Sequence, residues 1–441
     1  MTIAERLIAA GMSESEARAK ATTFAWLEEH APTGGEALRW FVPGRIEVLG
    51  KHTDYAGGRS LLCTAERGIC IAARPRTDWV VRIEDIVRHI NAEIPLSPEL
   101  PVPNHGWTVY PSAVIRRIAR NFPGAVTGAD IVLASDLASA AGMSTSSALV
   151  VAIFAVLSAV NGLPRRAEYA ANIGSPLDLA GYLGCIENGR TFKALPGDFG
   201  VGTFGGSEDH TAILTSEPRH LKQYSFAPVR FERAIKLPDE LVFVIGVSGV
   251  VADKTGSARE LYNRAALGVR SVLDVWLQVS GSNASTLAAA ATGTPHAAEQ
   301  IRAALFKAVS EPAQRQWLSN RFEQFLLESE TIIPLAGDAL ARGDLREFGK
   351  LVDQSQDAAE KLLGNQVPET IRLAKDARSL GAYAASAFGA GFGGSVWALV
   401  ERVDAVDFLR RWRQAYQRSA HAAAHHSLFF VTPPGSPLIA L

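Results

Sequence analysis

Apolar positions set out most of the chain. Ile3, Leu7 and Ile8, then Phe24, Trp26 and Leu27, fall at helical spacing and predict helix over residues 1–30. The run at 31–35, APTGG, breaks it. Pro43-Gly44 signals a turn, and Ile46, Val48 and Leu49 read as a short buried strand behind it. Residues 61–73 continue as strand, and 79–90 alternate (Trp79, Val81, Ile83) as a half-exposed strand does. A proline-rich loop at 94–105 leads into helix at 107–118. Then come a strand at 129–133, a small-residue loop at 134–142, and helices at 144–160 and 177–187. Residues 190–206 are rich in glycine and read as irregular, and 209–214 and 222–235 read as strands. Residues 240–247, with LVFVIGV within them, read as a buried strand. Helices follow over 255–280, 295–330, 335–345 and 352–380. Residues 383–386 lead into a glycine-rich turn, and a strand at 395–400, helix at 404–420 and strand at 427–431 close the chain. A compositional shift near 215–235 divides it into an N-terminal extension (1–38) and two domains (39–220 and 221–441).

Composition narrows the function. The chain has 441 residues, 44 Lys plus Arg and 45 Asp plus Glu, for a net charge of -1. That balance gives no reason to expect nucleic acid or a membrane surface as partner. Cys63, Cys70 and Cys185 lack CxxC spacing and predict reduced thiols in a cytoplasmic protein. Glu5, Glu14 and Glu16 do not fit a secretory leader. The longest apolar run, 148–160, contains Ser158 and is shorter than the roughly 20 residues that span a bilayer.

Three stretches carry candidate chemistry. Residues 43–59, PGRIEVLGKHTDYAGGR, set Lys51, His52 and Asp54 between a strand end and Gly57-Gly58. This is the layout of a site, although a polar loop with an incidental histidine has the same composition. Residues 138–147, ASAAGMSTSS, precede the most apolar helix. Backbone N–H groups and the helix dipole favour an anion there, and four hydroxyls exceed the single one a helix cap needs. The pattern is not GxxxxGK[ST], which excludes the P-loop fold. Residues 388–395, FGAGFGGS, imply close backbone approach or left-handed dihedrals. Together the two loops suggest a nucleotide held from two sides. Among the acids, Glu187 closes a helix, and Asp209 in Glu208-Asp209-His210 follows Gly205-Gly206. An aspartate there suits a general base, although a surface turn acid reads the same way.

The motifs resemble those of the GHMP kinases. PGRIEVLGKHTDYAGG is similar to the galactokinase signature Gly-Arg-x-Asn-Leu-Ile-Gly-Glu-His-x-Asp-Tyr. GMSTSSAL resembles the phosphate loop Gly-Leu-Ser-Ser-Ser-Ala-Ala-Leu, and FGAGFGGS the third motif Thr-Gly-Ala-Gly-Phe-Gly-Gly-Cys. The resemblance spans residues 40–435. It implies an α+β fold: an N-terminal domain like domain 2 of ribosomal protein S5 and a ferredoxin-like C-terminal domain, with ATP and a monosaccharide in the cleft between them. It implies Arg45 beside the transferred phosphoryl group and Asp209 as the base for the anomeric hydroxyl. His52, Asp54, Gly206 and Tyr262 would meet the sugar. Trp107 and Tyr110 would lie near adenine. Ala140, Gly142, Ser144, Thr145, Ser146, Ser147 and Gly391 would hold the nucleotide, and Ser146 and Glu187 would bind Mg2+.

The chain also departs from the pattern. Glu47 stands where the family has Asn, and Lys51 where it has the Glu that contacts the sugar's C6 hydroxyl. A lysine there favours a C6 carboxylate, so a hexuronate such as galacturonate competes with galactose as the expected substrate. Residues 190–206 read as an insertion over the site, with Asp198 inside it as a rival base. Two further readings are a non-catalytic sugar and ATP sensor, and a mevalonate or homoserine type of kinase. An intact Arg45, Ser144 and Asp209 oppose the first, and HTDY opposes the second.

Overall fold

A computed structural model describes residues 1–31, 37–138, 141–251, 258–418 and 422–441. Ala140, most of the 31–35 break and the ends of the helices expected at 255–280 and 404–420 fall outside those residues. The first half runs α1 (Ile3–Ala9), α2 (Glu14–His30), β1 (Leu38–Leu49), β2 (Arg59–Pro75), β3 (Val80–Asp85), β4 (Ile90–Pro95), α3 (Val109–Asn121) and β5 (Ala129–Ser135). It continues through α4 (Thr145–Val160), α5 (Ala167–Asn172), α6 (Pro176–Asn188), α7 (Glu208–Thr215), β6 (His220–Ser225) and β7 (Arg230–Lys236). The second half holds β8 (Leu241–Val247), α8 (Arg259–Ser280), α9 (Leu287–Thr292), α10 (Ala297–Ala308), α11 (Pro312–Leu326), α12 (Ile333–Ala341), α13 (Leu345–Ala358) and α14 (Pro368–Ser379). It closes with β9 (Ala384–Phe388), β10 (Ser395–Glu401), α15 (Ala405–Gln417), β11 (Leu428–Thr432) and β12 (Ile439–Ala440).

Two sheets form. The first has the order β12-β1-β2-β5-β3-β4, with the β6–β7 hairpin added through β2. Its pairs are antiparallel except β3 with β5. The second is β11-β8-β10-β9, all antiparallel. With helices between β8 and β9 and between β10 and β11, that order is the ferredoxin-like arrangement.

Apolar patterning explains the layers. Every residue of β8 is buried, because both faces of its sheet are covered. Val242 and Val244 face α14 and α15, while Phe243 and Ile245 face the other way. That second face joins the helix α4 and the first sheet in one continuous core, which runs from Val42 and Ile153 to Phe243 and Trp397. α4 is apolar nearly all round, and it lies between β1, β2, α3 and α7. The N-terminal hairpin α1–α2 covers the outer face of the first sheet through Leu7, Phe24 and Leu27.

Several expected elements are different: Pro43-Gly44 lies within the single strand β1, not at a turn before it, and residues 222–235 form the β6–β7 hairpin, not one strand. Residues 209–214 form a helix, not a strand. The β-branched Thr211 and Ile213 suggested strand, but two acids at the first turn, Glu208 and Asp209, favour a helix N-terminus.

Candidate active site

The expected motifs converge on one cleft. Among the described residues it is lined by Arg45, Glu47, His52, Asp54, Tyr55, Ser147, Glu187, Thr203, Gly205, Gly206, Glu208, Asp209, His210, Tyr262, Gly389 and Ala390. β1 ends there through two register irregularities against β2, between Pro43 and Arg45 and between Glu47 and Leu49.

Arg45 is at the centre and is almost wholly buried. Its Nε donates to Asp209 Oδ1 at 2.7 Å, and its Nη1 to the Gly142 carbonyl at 3.0 Å. Nη2 stands 3.4 Å from one oxygen each of Glu47 and Glu208. Burial disfavours the guanidinium charge, but Asp209, Glu208 and Glu47 outweigh it and hold the proton more firmly than usual. Burial in turn pushes the Glu47 carboxyl up to about 7, against the pull of Arg45 and Lys51. Burial and the neighbouring Glu47 raise Glu208 as well. Asp209 Oδ2 accepts from Ser147 Oγ at 3.2 Å, so the candidate base is fixed at both oxygens.

The loop after β1 is held from the second half of the chain. His52 has a left-handed backbone (φ 58). Its Nε2 lies 2.9 Å from the Ala390 carbonyl, which can only accept, so that nitrogen carries a proton. Its Nδ1 is 2.8 Å from Tyr55 Oη. Arg321 donates to the His52 carbonyl, Gln324 to the Lys51 carbonyl, and Glu328 Oε1 accepts from Gly50 N–H at 2.8 Å. These residues sit on one face of α11 and of the π-turn that continues it, Leu327–Ile332. Nothing in the sequence pattern singled them out. Their one visible signal is polar residues spaced three and four apart within an otherwise packed helix.

Asp54 Oδ1 accepts from Tyr55 N–H, and Oδ2 from Glu208 N–H at 3.2 Å. A Cβ at Gly206 would lie 2.3 Å from Asp54 Oδ2, so only glycine allows this approach. The two glycine loops touch, since a Cβ at Gly142 would meet the Phe388 carbonyl at 2.8 Å. Ser395 Oγ also donates to the Ala141 carbonyl at 2.6 Å. Ser144 occupies the N-cap of α4 in the left-handed region, yet its hydroxyl caps nothing and is buried without a hydrogen-bond partner.

Other expected residues lie outside this lining. Lys51 is buried, and its Nζ donates to Ser355 Oγ (2.9 Å) and Ser386 Oγ (2.8 Å), away from the cleft. Thr145 and Ser146 form the first turn of α4 beside Ser147. Trp107 and Tyr110 pack partly buried on the core at the start of α3, and Gly391 packs on Asn365; none of the three lines the cleft. Asp198 is taken up by Arg116 at 2.6 Å and Arg120 at 3.2 Å. The loop that carries it folds back on the end of α6 through Asp198 N–H to Gly189 O and Val201 N–H to Glu187 O. Glu208 and His210 line the cleft but were not singled out in the sequence. A strand over 209–214 would have put them on the face opposite Asp209, whereas one helical turn fans all three inward.

Comparison with known proteins agrees with this geometry. The profile "GHMP kinases N terminal domain" matches residues 109–183, and "GHMP kinases C terminal" matches 338–418. "Galactokinase galactose-binding signature" matches 29–75. The chain is 28% identical to a galactokinase of Roseiflexus sp. (strain RS-1) over 375 residues, 85% of this chain and 86% of that one. It is 25% identical to the Haemophilus influenzae galactokinase over 381 residues, 84% and 87% of the two chains. Among solved structures it resembles Lactococcus lactis galactokinase complexed with galactose, with TM-score 0.75, 22% identity, and 96% and 99% of the chains covered. It also resembles Methanococcus jannaschii mevalonate kinase, with TM-score 0.55, 14% identity, and 91% and 99% covered. The fold is that of the GHMP-type kinases, and the chain carries matches to their N- and C-terminal domains and to the galactokinase galactose-binding signature, with similarity to galactokinases over most of its length. Among the described residues no helix is long and apolar enough to cross a membrane.

Proposed function

We propose that this chain is an ATP-dependent galactose 1-kinase of the cytoplasm. The observation that carries the reading is Asp209, fixed by Arg45 and Ser147 between the loop that bears His52 and Asp54 and the N-terminus of α4. Phosphoryl transfer chiefly requires positioning and neutralisation of spread negative charge. Asp209 takes the proton of the anomeric hydroxyl, and that oxygen attacks the γ-phosphorus. The bond to the bridging oxygen breaks, and ADP leaves with the electron pair. Arg45 holds Asp209 in place. The unsatisfied Ser144 hydroxyl and the α4 N–H groups meet phosphate. Ser146 and Glu187 are the residues to hold Mg2+, and the buried Glu187 Oε1 without a hydrogen-bond partner fits that role. When bound, the ion supplies charge neutralisation between the phosphates.

The cleft favours galactose over galacturonate. Asp54, Glu187 and Asp209 line it beside Arg45, and these carboxylates disfavour a sugar carboxylate. The lysine that argued for a hexuronate spends its charge on Ser355 and Ser386. Asp209→Asn tests the mechanism. Turnover is expected to fall by about 10²- to 10⁴-fold with ATP affinity retained, as for loss of a general base. Normal turnover in that variant contradicts the assignment.

A further inference from the structure

His210 is the buried group that the mechanism leaves without work. Its side chain is 1 % exposed, and neither ring nitrogen has a hydrogen-bond partner. Nε2 lies 3.2 Å from Glu187 Oε1, itself buried and unpartnered. The two atoms are not aligned as a hydrogen bond, so each keeps its donor or lone pair for something else. Two cis ligands of an ion bound at about 2.1 Å stand about 3 Å apart, the separation seen here. The sequence builds this approach: Gly184 in α6 lies so close to Gly206 and Ser207 that a Cβ would stand 2.9 Å from the Gly206 carbonyl and 2.8 Å from Ser207 Cβ. The α6 end carrying Glu187 thereby meets the first turn of α7 carrying His210.

We propose that His210 Nε2 is a nitrogen ligand of the divalent ion held by Glu187, so that this site binds Mn2+ or Co2+ more tightly than Mg2+. Among the described residues no group of three His, Cys, Asp or Glu side chains is placed to hold a metal ion. Nucleotide phosphate oxygens and water complete the shell, as is usual for kinase sites. An imidazole in the shell favours the later first-row ions over Mg2+, which prefers oxygen.

The inference rests on the reading of Glu187 as a metal ligand, and one experiment separates the two. Mn2+ is added to the full chain with the β,γ-methylene analogue of ATP, and electron spin echo modulation is recorded for the wild type and for His210→Gln. The expected result is ¹⁴N modulation in the wild type that is lost in the variant, with Mn2+ affinity about tenfold weaker and Mg2+ affinity little changed. Bound Mn2+ without nitrogen coupling in the wild type, or coupling that persists in the variant, overturns the role of His210 and leaves the Glu187 reading standing. Failure of Mn2+ to bind the wild-type complex overturns both. The wild-type spectrum decides even where the variant does not fold.

Discussion

In the proposed mechanism Asp209 is a carboxylate, ordinary in sequence, that placement makes the base. Arg45 fixes one oxygen and Ser147 the other. A hydrogen bond to a charged group contributes about 1.5 kcal/mol, so Ser147→Ala is expected to lower kcat roughly tenfold with the KM for ATP unchanged. Steady-state kinetics check this, and an unaltered kcat removes Ser147 from the mechanism. Glu47 carries a prediction about pH. Its carboxyl is raised by burial, so the folded state holds a proton that the unfolded chain releases. That contribution to stability is complete below the ordinary carboxylate range and is lost as pH rises toward about 7. Glu47→Gln is therefore expected to flatten the fall in Tm between pH 5 and 8, as thermal unfolding across that range measures. Arg45, His52, Asp54 and Asp209 were legible in the sequence because motif order alone marks them. The direction of Lys51 was not. It depends on the irregular end of β1 and on two serines, Ser355 and Ser386, more than 300 residues downstream.

The element that most determines the loop after β1 lies far from it in the chain. Arg321, Gln324 and Glu328 hold the backbone of residues 50–52, including the left-handed His52. Arg321→Ala leaves the buried His52 carbonyl without that donor, at a cost of about 2–3 kcal/mol. A lower Tm and a sugar KM raised about tenfold are expected, with the KM for ATP little affected. Calorimetry and kinetics on the same preparation test the pair of effects, and a KM shift confined to ATP contradicts the clamp. The unbroken apolar run made α4 and β8 readable. Residue pattern failed at α7, where Thr211 and Ile213 point to strand while helix-end charge and packing against α4 and α6 decide the outcome. That one element also hid Glu208 and His210.

At the scale of the whole molecule, one core joins both sheets, and the cleft opens where the two glycine loops meet. The N-terminal hairpin is tied to this region through Lys20 Nζ, 2.5 Å from Asp136, just ahead of the loop that leads into α4. The layered architecture followed from motif order in the sequence. The acidic character of the cleft did not, because it comes from side chains that folding gathers from α6, α7 and the loop after β1. The most direct measurement is ³¹P NMR of ATP incubated with the enzyme and either galactose or galacturonate. A sugar 1-phosphate is expected with galactose, with conversion of galacturonate at least about tenfold slower. Faster phosphorylation of galacturonate, phosphate on another hydroxyl, or no sugar-dependent loss of ATP would contradict this expectation.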